Sequence, residues 1–147
     1  APPRLYLDAN LLIAIVEVGP RLTPAQLSLL DRIDAGQAIG VTSELSLCEV
    51  LVKPVAERKA ELNAAFLELL RPGGVLQVVP ISRDVLLRAA MLRAETRMKL
   101  PDAIHVATAM LAGCEVVVSA DRGLRLPETL RQSVWDRLPD PPTDALP

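Results

Sequence analysis

Near the start of the chain stands Leu5-Tyr6-Leu7-Asp8-Ala9-Asn10-Leu11-Leu12-Ile13, in which two apolar runs are separated by an acid and its neighbours. The first run, extended back to Arg4, predicts a short strand that ends at Asp8. The second run continues to Val16 and predicts a helix with Asn10 as its cap. Open parallel sheets bind ligands beyond the carboxyl ends of their strands, so Asp8 is expected to lie at such a site.

Strand and helix signals alternate along the rest of the chain. Thr23, Ser43 and Ser82 each precede a predicted helix and are suited to cap it. One helix is expected to end before Pro54, because the residue before a proline avoids helical angles. The predicted strands are 38–42, 75–79 and 115–119, and the predicted helices are 24–35, 44–53, 55–70, 83–97 and 101–112, with a further helix near Glu128.

Alternating strands and helices, with unbroken apolar runs in the strands, indicate an α/β fold. We expect three layers, in which helices cover both faces of a parallel sheet of four or five strands. The 147 residues suffice for one domain, which we place at 1–138 and follow with a proline-rich tail at 139–147.

Composition narrows the function. The net charge of −2 argues against a protein that binds duplex DNA through bulk positive charge. The aromatic residues are Tyr6, Phe66 and Trp135, too few for a platform that stacks single-stranded bases.

Cys48 and Cys114 are far apart and fit no CxxC motif, so we expect two reduced, buried cysteines in a cytoplasmic protein, with a disulfide between them as the alternative. No segment is apolar for long enough to cross a membrane, and no membrane association is expected.

Four acids from distant segments are predicted to meet at one edge of the sheet: Asp8, Glu49, Asp102 and Asp121. Grouped carboxylates are costly unless a positive charge neutralises them. Mg²⁺, or Mn²⁺ in its place, prefers oxygen ligands and keeps several waters, one of which can act as a nucleophile. Such a site suits hydrolysis of a phosphodiester.

Each of these acids also has an ordinary structural explanation. Asp8 can cap a helix, Asp102 can favour the first turn of one, and Asp121 can shape a turn. Glu49 can lie on a solvated helix face, although its apolar neighbours make that less favourable. We favour the functional interpretation for all four, because together they fall at predicted strand ends.

Three further residues can support this site. Asn10 either caps the helix or orients a metal-bound water, and Ser119 can be a hydrogen-bond partner of the acids. His105, the only histidine, follows Asp102 by three residues and hence shares its helix face. A single histidine on an apolar helix is more often a packed, hydrogen-bonded residue, so we leave it outside the catalytic set.

Four segments together resemble the PIN-domain ribonucleases, in that family's order. They are Leu5 to Ile13, Thr42-Ser43-Glu44-Leu45-Ser46-Leu47-Cys48-Glu49-Val50-Leu51, Leu100-Pro101-Asp102-Ala103-Ile104-His105-Val106-Ala107-Thr108-Ala109, and Val117-Val118-Ser119-Ala120-Asp121. The resemblance runs from residue 5 to residue 125. The family often has threonine where Ser119 stands.

The resemblance is closest to toxins of VapC-type toxin–antitoxin pairs, and it implies an endoribonuclease that needs Mg²⁺ or Mn²⁺. It implies Asp8, Glu49, Asp102 and Asp121 as the metal-binding and catalytic acids. It also implies a homodimer inhibited by a small antitoxin. Within that set, we expect Asp8, Asp102 and Asp121 on the metal, with Glu49 binding a metal or helping to deprotonate the attacking water.

Other classes of protein fit less well. A haloacid-dehalogenase-like phosphatase needs a second aspartate where Asn10 stands. The chain has neither the GxSxG turn of a serine hydrolase nor the glycines of a nucleotide-binding loop, and its one histidine and two separate cysteines do not suit zinc. The remaining alternative is a catalytically inactive PIN-like module that binds protein or RNA, although the four acids argue against it.

Overall fold

A computed structural model describes residues 1–120 and 125–138 of the chain. In these ranges, five strands form one parallel sheet in the order β3-β2-β1-β4-β5. The strands are β1 (Arg4–Leu7), β2 (Ile39–Ser43), β3 (Gln77–Val79), β4 (Val116–Ser119) and β5 (Arg131–Val134). The helices are α1 (Ala9–Val18), α2 (Pro24–Asp34), α3 (Glu44–Ala56), α4 (Ala60–Leu69), α5 (Arg83–Thr96) and α6 (Leu100–Leu111), with short 3-10 turns at Gly19–Arg21 and Trp135–Arg137.

Two hydrophobic cores, one on each face of the sheet, give the molecule three layers. Along β1, Leu5 and Leu7 face one core and Tyr6 faces the other, because successive side chains of a strand point to opposite faces. Helices α1, α2 and α4 pack into the first core, and α5 and α6 pack into the second. The predicted three-layer α/β class is therefore confirmed, with five strands in the sheet.

Capping side chains start three of the predicted helices where they were expected. Thr23 and Gln26 form a reciprocal capping box at α2, and Pro24 occupies the first helical position. Ser43 accepts a hydrogen bond from the backbone of α3, and Ser82 does the same for α5. These local signals are readable from sequence because each cap bonds within its own first turn.

The predicted cap of α1 is wrong. Asp8, not Asn10, is the N-cap: its Oδ1 accepts a hydrogen bond from the backbone N–H of Leu11 at 2.9 Å. Asn10 lies inside the first turn. A single residue, Asp8, therefore separates the end of the strand from the start of the helix.

The predicted boundary at Pro54 is also wrong, since α3 continues through it to Ala56. Pro54 is buried within the last turn of this helix, so tertiary packing overrides the local preference against a helical residue before proline. The chain turns instead at Arg58, whose φ of 55° is left-handed. Consequently α4 begins at Ala60 rather than Val55.

Residues 125–134 contain no helix, so the helix predicted near Glu128 is wrong. The chain forms β5 there, paired in parallel with β4 from Val116 opposite Arg131 to Ser119 opposite Val134. This edge strand carries Arg131, Gln132 and Ser133 and has no unbroken apolar run. Its hydrogen-bond partners come from another strand, β4, so its own sequence gives little sign of it.

Cys114 is buried as expected, but Cys48 is exposed on α3, which corrects the prediction for that residue. The two thiols are free rather than paired. None of the helices in the described ranges combines the length and apolar character needed to cross a bilayer. The predicted tail at 139–147 lies outside the described residues.

The different burial of the two thiols predicts different reactivity. Burial raises the pKa of the Cys114 thiol to about 11, because the thiolate loses water, although Arg4 acts in the opposite direction. At pH 8 only about one thousandth of such a thiol is ionised.

We expect one thiol per chain to react with a thiol reagent in the native protein and two after unfolding. Loss of the native reaction in Cys48→Ser, and its retention in Cys114→Ser, would identify the reactive residue. Two reactive thiols in the native protein would contradict the burial of Cys114.

Candidate active site

Asp8 lies at the carboxyl end of β1, near the middle of the sheet, and both of its carboxylate oxygens accept hydrogen bonds. Oδ1 accepts from the backbone of Leu11, as described above, and Oδ2 accepts from the Ser119 hydroxyl at 2.7 Å. Ser119 is the last residue of β4 and is fully buried. The carboxylate is thus oriented by a helix N-terminus on one side and a neighbouring strand on the other.

A pocket of about 340 Å³ opens at this edge of the sheet. Asp8, Glu49 and Asp102 line it together, so the fold brings three of the four predicted acids to one cavity. Asp102 lies in the first turn of α6, where the helix dipole favours a negative charge. The remaining lining residues are Tyr6, Ala9, Asn10, Ile13, His105, Val106 and Val117.

Two further predicted residues have different positions. Asn10 is exposed and lines the pocket. Asp121 lies outside the described residues, so its place in the site stays a prediction.

A chain of polar contacts joins Glu49 to the interior of the sheet. The Nε2 atom of His105 lies 2.6 Å from Oε1 of Glu49, and Nδ1 of the same ring is hydrogen-bonded to the hydroxyl of Tyr6. The Tyr6 and His105 rings also meet edge to face, with centroids 5.7 Å apart. The series Tyr6, His105, Glu49 is called the polar relay below.

The end of β1 is further held by β2. The Thr42 hydroxyl donates to the carbonyl of Leu7 at 2.7 Å and lies 2.8 Å from the hydroxyl of Ser46 in α3. Thr42 and Ser46 are fully buried. Because Leu7 precedes Asp8, this bond fixes the backbone from which the acid projects.

Within residues 1–120 and 125–138, no three histidine, cysteine, aspartate or glutamate side chains form a ready-made metal-binding group. Mg²⁺, however, is commonly held by only one or two carboxylates and completes its octahedron with water. The oxygen donors of Asp8 and Asp102 beside an open pocket suit that mode. The Asp102 carboxylate makes no hydrogen bond or ion pair with any described residue, which leaves it available.

Residues 5–128 match the family model described as PIN domain. The chain belongs to the PIN domain family. No significant match to a curated protein was found.

Solved structures with the same fold include toxin–antitoxin proteins. VapBC2 from Rickettsia felis, bound to a DNA fragment from its promoter, is 19% identical with a TM-score of 0.73, covering 90% of this chain and 99% of that one. DNA-bound VapBC from Salmonella typhimurium is 18% identical with a TM-score of 0.65 and coverage of 90% and 98%. VapC20 from Mycobacterium tuberculosis, a toxin that cleaves the Sarcin-Ricin loop, is 18% identical with a TM-score of 0.61 and coverage of 82% and 92%. At these identities the likeness concerns the fold.

The PIN-domain site of this chain contains polar residues that sequence reasoning did not assign to it. Tyr6 stood within an apolar strand, and Thr42 stood at the end of another. A weak signal existed for Tyr6. It lies two residues before Asp8 and next to Leu7, so its side chain points to the opposite face of the sheet from Leu7. His105 was identified correctly as packed and hydrogen-bonded, but its partner Glu49 is 56 residues away and left no trace in the local sequence.

Tyr6 provides a direct test of this arrangement, since it is the only tyrosine in the chain. Burial raises its pKa well above the ordinary value of 10.0, and the charges of Asp8 and Glu49 act in the same direction, against the opposing effect of the Thr42 hydroxyl. The folded state holds this proton more tightly than the unfolded chain. Ionisation of Tyr6 therefore leaves the stability of the folded state unchanged below about pH 10 and lowers it as the pH rises above that value.

We expect no tyrosinate absorbance near pH 10 while Trp135 fluorescence remains native. In denaturant, the same tyrosine should titrate near its ordinary pKa. Ionisation near pH 10 in protein that is still folded would show that the Tyr6 hydroxyl is not enclosed as described.

Proposed function

We propose that this protein is a metal-dependent endoribonuclease and the toxin of a toxin–antitoxin pair. The observation that carries this proposal is the convergence of Asp8, Glu49 and Asp102 on one pocket at the carboxyl edge of a PIN-domain sheet. Oxygen-donor side chains beside an open cavity suit a hard divalent cation and a phosphodiester. One structure of the same fold, VapC20, is a toxin that cleaves the Sarcin-Ricin loop, and this favours RNA as the substrate.

In this proposal, Asp8 and Asp102 hold Mg²⁺ or Mn²⁺, together with Asp121. When bound, the ion stabilises the charge that develops on the phosphate oxygens. Asp8 is suited to this because its hydrogen bonds to Leu11 and Ser119 fix the direction of the carboxylate. Asn10, exposed at the rim, is placed to orient a water.

Glu49 is proposed as the group that takes a proton from the attacking water. The oxygen of that water forms a new bond to phosphorus, and the opposite P–O bond breaks in line with it. The leaving oxygen of the RNA then takes up a proton from solvent. Glu49 suits this role because one carboxylate oxygen is held by His105, while the other accepts no hydrogen bond from a described residue and is free to meet water.

The partners proposed are RNA, a small antitoxin and a second copy of the chain, all in the cytoplasm. The antitoxin is favoured by the complexes of the same fold from Rickettsia felis and Salmonella typhimurium. Exposed apolar side chains on α5, namely Leu86, Leu87 and Met91, offer surface for a protein contact.

Asp8→Asn should lower cleavage of RNA by at least about 100-fold while the protein stays folded. Asparagine is also a good helix cap, so the hydrogen bond to Leu11 can be kept. The measurement is cleavage of a panel of structured and single-stranded RNAs with Mg²⁺ and with EDTA. Asp84→Asn is a matched control, because Asp84 is an exposed first-turn acid of α5 outside the pocket. Full activity of Asp8→Asn, or activity that persists in EDTA, would contradict the proposed mechanism.

Metal binding is measurable without knowing the RNA target. Titration of Mn²⁺ by calorimetry should show binding to the wild-type protein that Asp8→Asn and Asp102→Asn each weaken by at least about tenfold. Asp84→Asn should bind as the wild type does. Absence of binding in folded wild-type protein would favour the inactive binding module over the nuclease.

A further inference from the structure

We infer that His105 is a positioning residue for Glu49, held in place by Tyr6. The inference rests on the proposed function, since it assigns to His105 the task of orienting the group that meets the attacking water. It goes beyond the four acids of the PIN motifs, because neither His105 nor Tyr6 is an acid or a predicted metal ligand.

The hydrogen-bonding capacity of the groups determines which atom carries the proton. An ionised carboxylate only accepts hydrogen bonds, so Nε2 of His105 must carry the hydrogen directed at Glu49. A tyrosine hydroxyl can donate or accept, so Nδ1 is satisfied whether or not it carries a hydrogen. The arrangement therefore excludes the form of the ring in which only Nδ1 is protonated.

Differences in exposure make His105 the fixed member of the pair. The Glu49 side chain is 34% exposed, whereas that of His105 is 10% exposed. Glutamate has three rotatable side-chain bonds, and at the rim of a pocket it would otherwise sample many orientations. Contacts to both ring nitrogens restrain the imidazole, which in turn restrains one oxygen of Glu49, a residue that lines the pocket.

The relay also joins three different secondary-structure elements. Tyr6 belongs to β1, His105 to α6 and Glu49 to α3. The strand that ends at Asp8 thus sets the position of Glu49 through the same ring.

Nuclear magnetic resonance tests the relay independently of any nuclease activity. Because His105 is the only histidine, the two ring nitrogens of ¹⁵N-labelled protein give unambiguous signals. At neutral pH we expect a protonated Nε2 whose resonance shifts in Glu49→Ala and is unchanged in Glu44→Ala, an exposed acid of the same helix. An unprotonated Nε2 in the wild type, or an Nε2 resonance that is unchanged in Glu49→Ala, would overturn the inference even if the protein cleaves RNA.

Two substitutions at His105 separate positioning from packing. The amide nitrogen of His105→Gln reaches about as far as Nε2 and can still donate to Glu49, whereas the amide of His105→Asn reaches only about as far as Nδ1. On an RNA that the wild type cleaves, His105→Asn should lower kcat by about 10- to 100-fold with little change in KM, and His105→Gln should restore most of it. Equal losses in two variants of equal thermal stability would show that the donor to Glu49 is not what matters. If the wild type cleaves no RNA, the nitrogen resonances still decide the relay.

Discussion

The two hydrogen bonds of the Asp8 carboxylate are the interactions on which the rest of this site depends. One oxygen caps α1 and the other is bound by Ser119 of β4, so the acid links a strand end, a helix start and a neighbouring strand. The N-terminus of a helix favours a negative charge, and a buried hydroxyl adds a second donor. Capping and function are therefore not competing explanations for Asp8, because the bonds that make it a good cap also fix its direction.

Three acids around one pocket repel one another, and the chain offsets each charge locally. Asp8 has two donors, Asp102 lies at the N-terminus of α6, and Glu49 faces Nε2 of His105. Because these charges are compensated in this way, the fold does not need a bound cation in order to form. The compensation is nevertheless incomplete, since Asp102 and one oxygen of Glu49 have no partner among the described residues. These unpartnered oxygens, rather than the number of acids, are what the proposed metal and water would contact.

Elements with local signals were predictable from sequence, and elements whose signals lie elsewhere in the chain were not. The helix starts after Thr23, Ser43 and Ser82 follow from caps that bond within one turn. The strand that follows Leu130 forms because β4 offers it an edge, and its own polar residues give no apolar pattern to read. Pro54 misled because a local proline signal is a preference that tertiary packing can override, and Pro54 is buried within α3.

The same distinction applies within the site. Asp8 could be located because it follows a strand, Asp102 because it opens a helix, and Glu49 because its helix starts directly after β2; parallel strands bring those ends together. The contacts of His105 join residues 99 and 56 positions apart, and they depend on how α6 lies against β1 and α3. A lone histidine on an apolar helix is ordinarily a packed residue, and His105 is packed. What distinguishes it is that both of its ring nitrogens are hydrogen-bonded, one to Tyr6 of the strand that leads to Asp8 and the other to Glu49. The packing of His105 therefore fixes the position of Glu49 relative to Asp8.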